Sequence, residues 1–259
     1  MHIHPPKPLH GWKEFLNEIF VIVIGVLIAL GFEQVVEELH WQHKVHEGEE
    51  RLDAELRGLY RAAVLQVALA PCLTSQYTGL EQRVLDGGAN LVPAPFIPLS
   101  DRLAFTHAAP PAVLTRFRQM QTPVWDTLNA DGTILHMPLQ EQRRLGVVYA
   151  QAKTYIEAGT QLKGLSEFTL PLQLDTTVRY ELISKIHDTR DVHFKMTNAA
   201  VLLAAFVKEM GHAPGADETS TELREDQAAS IAACERNGYP LANWKDAIAK
   251  QPSLTKLGY

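Results

Sequence analysis

The apolar positions near the start of the chain form one run without a charge or a proline. Residues 19–32 read IFVIVIGVLIALGF, and the apolar surface extends further through Phe15, Leu16, Val35 and Val36. The run is apolar on every face, whereas a helix on the surface of a soluble domain carries a polar stripe. At about 1.5 Å per residue the uncharged run spans about 21 Å, so the flanking residues are needed to cross a hydrocarbon core of about 30 Å.

Two tryptophans flank this run at positions typical of interfacial aromatic residues, Trp12 before it and Trp41 after it. In a continuous helix they are about 43 Å apart, close to the thickness of a bilayer with its headgroups. The Ile, Leu, Val and Phe side chains of the run favour insertion by about 3 to 7 kcal/mol. We predict a membrane anchor over residues 12–39. A buried soluble helix and a removed signal peptide are the alternatives, and residues 29–31, Ala-Leu-Gly, are a poor cleavage site.

The charges on the two flanks predict the orientation of this anchor. The segment before the run carries Lys7 and Lys13, whereas the segment after it opens with three glutamates, Glu33, Glu37 and Glu38. The positive-inside rule then places residues 1–11 in the cytoplasm as a short tail. The predicted location is the inner membrane of a Gram-negative cell, with everything after about residue 40 in the periplasm.

A family resemblance agrees with this topology. The stretch NEIFVIVIGVLIALGFEQ is similar to the start of a family of uncharacterised single-pass proteins from Gram-negative bacteria, although Asn17 stands where the family has glycine. The matching residues are Glu18, Gly25, Leu27, Ile28, Ala29, Leu30 and Gln34. A second, looser match is TPVWDTLNADGTI, with Trp125 and Gly132. The resemblance implies an anchored, mostly helical extracytoplasmic domain, and it brings no known activity.

Helical periodicity begins after a polar neck, residues 40–51, which joins the anchor to the domain. From Leu52 onward one face is apolar at steps of four, three, four and four residues, through Leu52, Leu56, Leu59, Ala63 and Val67. Pro71 is expected to break or kink this helix. A second helix is then predicted over residues 74–85, ended by two glycines.

The rest of the domain, residues 52–259, also reads as helices. Residues 87–111 are proline-rich and predict an irregular excursion, followed by a short helix. Further helices are predicted from Pro123, where Thr122 is the expected cap, from Pro138, from Asp175 to Gly211, and over 217–236. The buried face of the helix after Pro138 is predicted to be Leu145, Val148, Tyr149, Ala152, Tyr155 and Ile156, and that of the next helix Leu182, Ile186, Ala199, Leu203 and Phe206. The predicted fold class is all-α, with a bundle of four or more helices.

The chain has only two cysteines, Cys72 and Cys234. They are too few for a disulfide framework and too far apart for a CxxC motif. An oxidising compartment allows one long-range disulfide between them, which would tie the last helix to the first. Two free buried cysteines are the alternative.

Overall charge excludes one class of partner. The chain has 259 residues and a formal net charge of -6. Because no basic cluster accompanies this mild acidity, nucleic acid is not expected as a partner.

Histidines and glutamates offer the only candidate metal ligands. His40, His43 and His46 recur every three residues, but this spacing drifts by about 60° per step around a helix, so all three cannot face one ion. His43 and Glu47 share a face. Two Glu-x-x-His pairs, Glu37–His40 and Glu209–His212, resemble part of a di-iron site, but neither lies mid-bundle. We predict no metal and no cofactor, and no catalytic motif is present.

Two further features indicate binding. Trp125, Tyr149 and Tyr155 are aromatic residues on successive helices, and they are either core residues or the lining of a small-molecule pocket. Gly25 and Ala29 form a small-xxx-small step through which another membrane helix can approach closely. Glu18, at the inner edge of the hydrocarbon, is a candidate polar partner for such a helix.

These observations predict a non-catalytic accessory or scaffold subunit of an inner-membrane complex. The expected partners are membrane lipid and a membrane protein, or a second copy, that packs on the anchor. The first alternative is a periplasmic ligand-sensing bundle, which a short cytoplasmic tail without a signalling domain disfavours. A metal-dependent enzyme is the third reading.

Overall fold

A computed structural model of the chain describes residues 11–89, 91, 119–162, 173–226 and 228–259. The described residues form helices and turns and contain no strand, which confirms the all-α class. Most of the predicted tail, most of the 87–111 excursion and the short helix after it lie outside them. The helices are α1 (Trp12–Asp86), α2 (Pro123–Ala130), α3 (Leu139–Thr160), α4 (Thr176–Glu209), α5 (Ala216–Asp226), α6 (Ala228–Arg236) and α7 (Trp244–Ala249), with 3₁₀ turns at Thr133–His136 and Thr255–Leu257.

Helix α1 has 75 residues and plays two parts. Its first part is exposed from Trp12 to His40 wherever its side chains are described. Its second part is the centre of the bundle and packs along α4, which also packs along α3. The apolar stripe predicted from Leu52 to Val67 is buried at every position, which confirms that periodicity.

Residues 40–51 continue α1, and one side of this stretch already packs on the bundle. Gly48 is buried, and a Cβ there would lie 3.2 Å from Cδ2 of Leu128 and 3.7 Å from Cγ2 of Thr133. The glycine therefore allows α2 and the first 3₁₀ turn to approach the helix closely. Contact between α1 and the domain begins before Leu52.

The prediction of a separate helix after Pro71 is wrong, because α1 runs on to Asp86. Proline removes one helical hydrogen bond and crowds the preceding turn. Next to it, the carbonyl oxygen of Ala68 accepts a hydrogen bond from the backbone N–H of Ala242, at 2.9 Å. A tertiary contact therefore satisfies a backbone group beside the proline.

Helices α3 and α4 confirm the predicted faces. Every predicted buried position is buried except Ile156, which is half-buried against the core. Helix α4 begins as predicted after Asp175, whose carboxylate accepts the N–H of Val178 at 2.8 Å. It ends before Gly211, which has a left-handed φ of 86°.

The far end of α1 is capped from α4. The guanidinium of Arg179 donates to the carbonyl oxygens of Leu85, Gly87 and Gly88 at 3.2, 2.9 and 3.1 Å, and also to that of Val84. A cation that satisfies the last carbonyls of a helix also complements its dipole. Arg179 therefore fixes where the long helix stops.

The described carboxyl-terminal residues form three helices where one was predicted. The single helix expected over 217–236 is described as α5 and α6, with residue 227 between them outside the description. Helix α7 was not predicted. Its N-cap, Asn243, accepts the N–H of Asp246, and Ile248 is buried in the core.

Candidate functional site

The first part of α1 is the most distinctive surface of the molecule. It is the one helix in the described residues that is long and apolar enough to cross a membrane. Its most apolar window of 18 residues has a mean hydropathy of 2.6, and none of that window is buried. The exposed large side chains include Phe20, Val21, Ile22, Leu27 and Phe32. A contiguous apolar surface of this size marks a contact with lipid or another protein.

The three predicted partner-helix residues share one side of this segment. Gly25 follows Glu18 by seven residues and precedes Ala29 by four, so helical geometry places them on one face. All three are exposed. A Cβ added to Gly25 would meet no atom within 4 Å. This face of α1 is open, and its small residues permit the close approach of a second helix.

A cluster around Trp41 marks the point where α1 enters the domain. The indole of Trp41 stacks on the imidazole of His136, with ring centroids 3.8 Å apart and an interplanar angle of 11°. The ammonium of Lys44 lies 4.9 Å from the centroid of the same indole and 3.9 Å from the carboxylate of Asp131. Trp12, at the opposite end of the apolar segment, is 73% exposed. The structure thus gives the two predicted interfacial tryptophans different surroundings.

The three aromatic residues considered for a pocket make different contacts. Trp125 and Tyr149 stack on each other, with ring centroids 4.3 Å apart. The Tyr149 hydroxyl donates to the carboxylate of Glu55 at 2.7 Å. Burial, and then the hydrogen bond to Glu55, raises the pKa of Tyr149. Tyr155 is buried elsewhere, with its hydroxyl 3.5 Å from Oε1 of Gln66. Trp125 and Tyr149 therefore contact each other, whereas the hydroxyl of Tyr155 faces Gln66.

Glu55 has a structural part that the sequence did not reveal. Its two carboxylate oxygens accept the backbone N–H groups of Val124 at 2.8 Å and of Trp125 at 3.2 Å. Helix α2 begins at Pro123 as predicted, but its cap is this carboxylate from α1 and not Thr122, which makes no capping hydrogen bond. A negatively charged carboxylate at the amino-terminal end of a helix also complements the helix dipole. Glu55 therefore joins α1, α2 and α3.

The two cysteines are joined by a disulfide in the structure. Cys72 of α1 and Cys234 of α6 are both buried, with Cα atoms 5.9 Å apart. The amide nitrogen of Gln76 lies 2.9 Å from the sulfur of Cys72. The bond ties the carboxyl-terminal helices to the middle of α1.

The candidate metal pair on α4 does not converge. The carboxylate of Glu209 accepts the backbone N–H of Leu254 at 2.6 Å and of Thr255 at 3.3 Å. His212 turns instead to Asp53, with Nδ1 and Oδ1 2.8 Å apart. In the part of the chain that the structure describes, no three His, Cys, Asp or Glu side chains are grouped to hold a metal ion.

A cavity of about 220 Å³ lies between α1 and α4, and the sequence analysis did not predict it. Gln66, Tyr77, His193 and Thr197 line its polar part. Gln66 donates to the Thr197 hydroxyl at 3.1 Å. The fully buried hydroxyl of Tyr77 has no hydrogen-bond partner among the described residues. The signal in the sequence is Gln66 itself, a polar residue inside the apolar stretch 62–70.

Two buried side chains that line this cavity are neutral at neutral pH. Burial lowers the pKa of His193 to about 4, so its imidazole is neutral at neutral pH. Burial likewise raises the pKa of Tyr77, which keeps the phenol protonated. The charged lining residues, Arg190 and Asp191, are both less buried. The cavity therefore presents neutral donors and acceptors beside aromatic rings.

Comparison with known proteins adds no further constraint. No family model, no curated protein and no solved structure matches the chain. The resemblance to a single-pass family, based on residues 17–34 and 122–134, stays a prediction.

Proposed function

We propose that this protein is a non-catalytic accessory or scaffold subunit of an inner-membrane complex. Residues 12–39 would anchor it, with the amino terminus in the cytoplasm and the helical domain in the periplasm. One observation carries the proposal: the apolar segment and the centre of the bundle are the same helix, α1. A bundle built around such a helix is held at a fixed place on the membrane, as a scaffold requires.

Two observations support the compartment. The disulfide between Cys72 and Cys234 is a bond that persists in oxidising compartments such as the periplasm. The lysines before the apolar segment and the glutamates after it favour a cytoplasmic amino terminus. Both observations agree on the side of the membrane that holds the domain.

Docking is assigned to the face of Gly25 and Ala29. Lipid tails surround the other faces of the segment, and van der Waals packing of small residues drives association between helices in that medium. The occupant we propose is a membrane helix of another subunit, with a second copy of this chain as the competing outcome. Glu18, on the same face, would meet a polar group of that helix near the cytoplasmic surface.

The first experiment tests the anchor. Cells are broken without detergent, and the intact chain is expected in the membrane pellet, resistant to carbonate and high salt and released by a mild detergent. Native purification in that detergent is then expected to yield a larger assembly. Recovery of the unprocessed chain in the soluble fraction would overturn the anchor and the function together.

The second experiment tests the docking face. The substitution Gly25→Leu fills the small-residue face, whereas Gly31→Leu makes the same change about 120° around the helix. A Cβ meets no atom within 4 Å at either glycine, so both variants are expected to fold. Loss of the assembly for Gly25→Leu alone supports the docking face, and equal behaviour of the two variants contradicts it.

The cavity between α1 and α4 favours a second candidate function, a ligand-sensing domain. Its buried polar groups are neutral, its more exposed lining residues include Arg190 and Asp191, and this set suits a small molecule with both a donor and an acceptor. Benzamide and phenol are suitable probes, and a raised Tm that Tyr77→Phe diminishes would support sensing. For the third alternative, a metal-dependent enzyme, the described residues contain no group of three His, Cys, Asp or Glu side chains that could hold a metal ion.

A further inference from the structure

We propose that the turn after α2 rests on the membrane surface and forms a second contact with lipid. The turn comprises residues 131–139, and we name it the membrane-proximal loop. This inference rests on the proposed anchor, and it adds that the domain touches the bilayer beside the point where α1 leaves it.

The contacts of this loop descend along α1 toward the apolar segment. Thr133 packs near Gly48. One turn lower, Asp131 meets Lys44. One further turn lower, His136 stacks on Trp41. His136 also borders a cavity whose other lining residues lie on α1 between Gly31 and Trp41. The loop is therefore at the membrane-facing end of the domain.

The height of Trp41 sets the height of the loop. A helix from Trp12 to Trp41 spans about 43 Å, and a bilayer with its headgroups is about 40–45 Å thick. With Trp12 at one interface, Trp41 lies in the headgroup layer of the other. His136 is stacked directly on Trp41 and lies in the same layer. Lys44 is within reach of lipid phosphates at that level.

Two exposed leucines flank His136 in this loop. Leu135 is 75% exposed and Leu139 is 61% exposed. Their neighbour Ile134 is buried and holds the turn on the bundle. A single exposed leucine is ordinary on a protein surface. Here two of them lie in a loop that reaches the headgroup layer, where apolar side chains gain by entering the boundary of the acyl chains.

The occupant of this surface is lipid rather than protein. Two leucines and one indole together offer far less apolar area than a stable protein interface, which buries about 800 Å² on each partner. Insertion of even a single apolar side chain into the membrane is favourable, because the main anchor already holds the protein beside the bilayer. His136 and Trp41 border the same cavity as Val35 and Leu39 of the apolar segment.

The test uses the full chain with one added cysteine. Leu135→Cys is labelled with an environment-sensitive fluorophore under non-reducing conditions, so that the disulfide stays closed. Tyr180→Cys is the matched control, since Tyr180 is 76% exposed and follows Arg179 at the far end of α1. Both proteins are reconstituted in vesicles of phosphatidylethanolamine and phosphatidylglycerol that contain a lipid with a nitroxide on its headgroup.

We expect the nitroxide lipid to quench the label at position 135 severalfold more than the label at position 180. Leu139→Cys should behave like Leu135→Cys. Equal quenching at 135 and 180 in protein that floats with the vesicles overturns the loop contact and leaves the anchor standing. Protein that fails to float with the vesicles overturns the anchor, and the loop contact with it.

Discussion

The backbone N–H of Ala242 donates to the carbonyl oxygen of Ala68 at 2.9 Å, three residues before Pro71 in the longest helix of the molecule. One residue after the proline, Cys72 is bonded to Cys234. The carboxyl-terminal region therefore meets α1 close to Pro71 through a hydrogen bond and a covalent bond. It follows that the stability of this part of α1 depends on residues more than 150 positions away.

Opening the disulfide should lower the free energy of unfolding. The bond closes a loop with a sequence separation of 162, and chain entropy assigns such a loop about 3 to 5 kcal/mol. Urea denaturation in detergent of the variant with Cys72→Ser and Cys234→Ser measures the loss. The single variants should be as unstable as the double variant, because either one removes the bond. A double variant as stable as the wild type would show that the cysteines are not bonded.

Removing the guanidinium of Arg179 should loosen the far end of α1. Arg179→Met leaves several terminal carbonyls without their donor, and hydrogen bonds to a charged group contribute about 1.5–3 kcal/mol. Faster hydrogen exchange is expected at the last turn of α1, near Arg83, while the turn around Leu56 stays protected. Arg143→Met is the matched control at an exposed position and should leave hydrogen exchange unchanged in both turns.

Loss of the Glu55 carboxylate should destabilise the junction of α1, α2 and α3. Glu55→Ala removes a helix cap and the acceptor for Tyr149, and we expect a loss of about 2 kcal/mol in the free energy of unfolding. Tyr149→Phe should account for about half of it. Glu50→Ala, whose carboxylate is 74% exposed, is the control and should stay within about 0.5 kcal/mol of the wild type. Equal effects for the two glutamates would contradict the capping role.

Buried His193 should make the protein less stable in mild acid. Its pKa falls from 6.5 to about 4 in the folded state because burial disfavours the charged imidazole. The unfolded chain then binds the extra proton between these two values, so stability is lost as the pH falls from 6.5 to about 4. The full loss is about 3 kcal/mol.

His193→Gln removes this titration and should flatten the dependence of unfolding free energy on pH in that window. Comparing the slope of unfolding free energy against pH in this variant and in the wild type distinguishes the contribution of His193 from those of Asp53 and Glu81. Hydrogen bonds from His212 and His187 lower the pKa values of these two carboxyl groups, so their contribution is lost at more acid pH. A variant with the slope of the wild type would contradict a neutral buried His193.

Much of the fold could be predicted because its signals are local. The stripe from Leu52 to Val67 repeats with the period of a helix, and burial follows that period. Asp175 and Gly211 bound α4 through capping chemistry that depends on a few neighbouring residues. The apolar segment likewise shows its character without any tertiary contact.

The errors came where a distant residue decided the local outcome. Pro71 carries a local signal for a break, but Ala242 satisfies a carbonyl beside it. Thr122 has the preferred chemistry of a cap, yet Glu55 from another helix takes that part. The cavity lined by Gln66 and Tyr77 depends on how α1 packs against α4, and the sequence pattern of either helix alone does not predict that packing.

In the proposed topology, the length of α1 turns a small tilt at the membrane into a large displacement of the far tip. Asp86 lies about 70 Å along the axis from Leu39. Membrane-spanning helices lean by about 20° on average, which would carry the far tip about 24 Å sideways while lowering it by only about 4 Å. In such a tilted arrangement, a neighbour anchored in the same bilayer would meet the far tip of the domain well to one side of the point where α1 leaves the membrane.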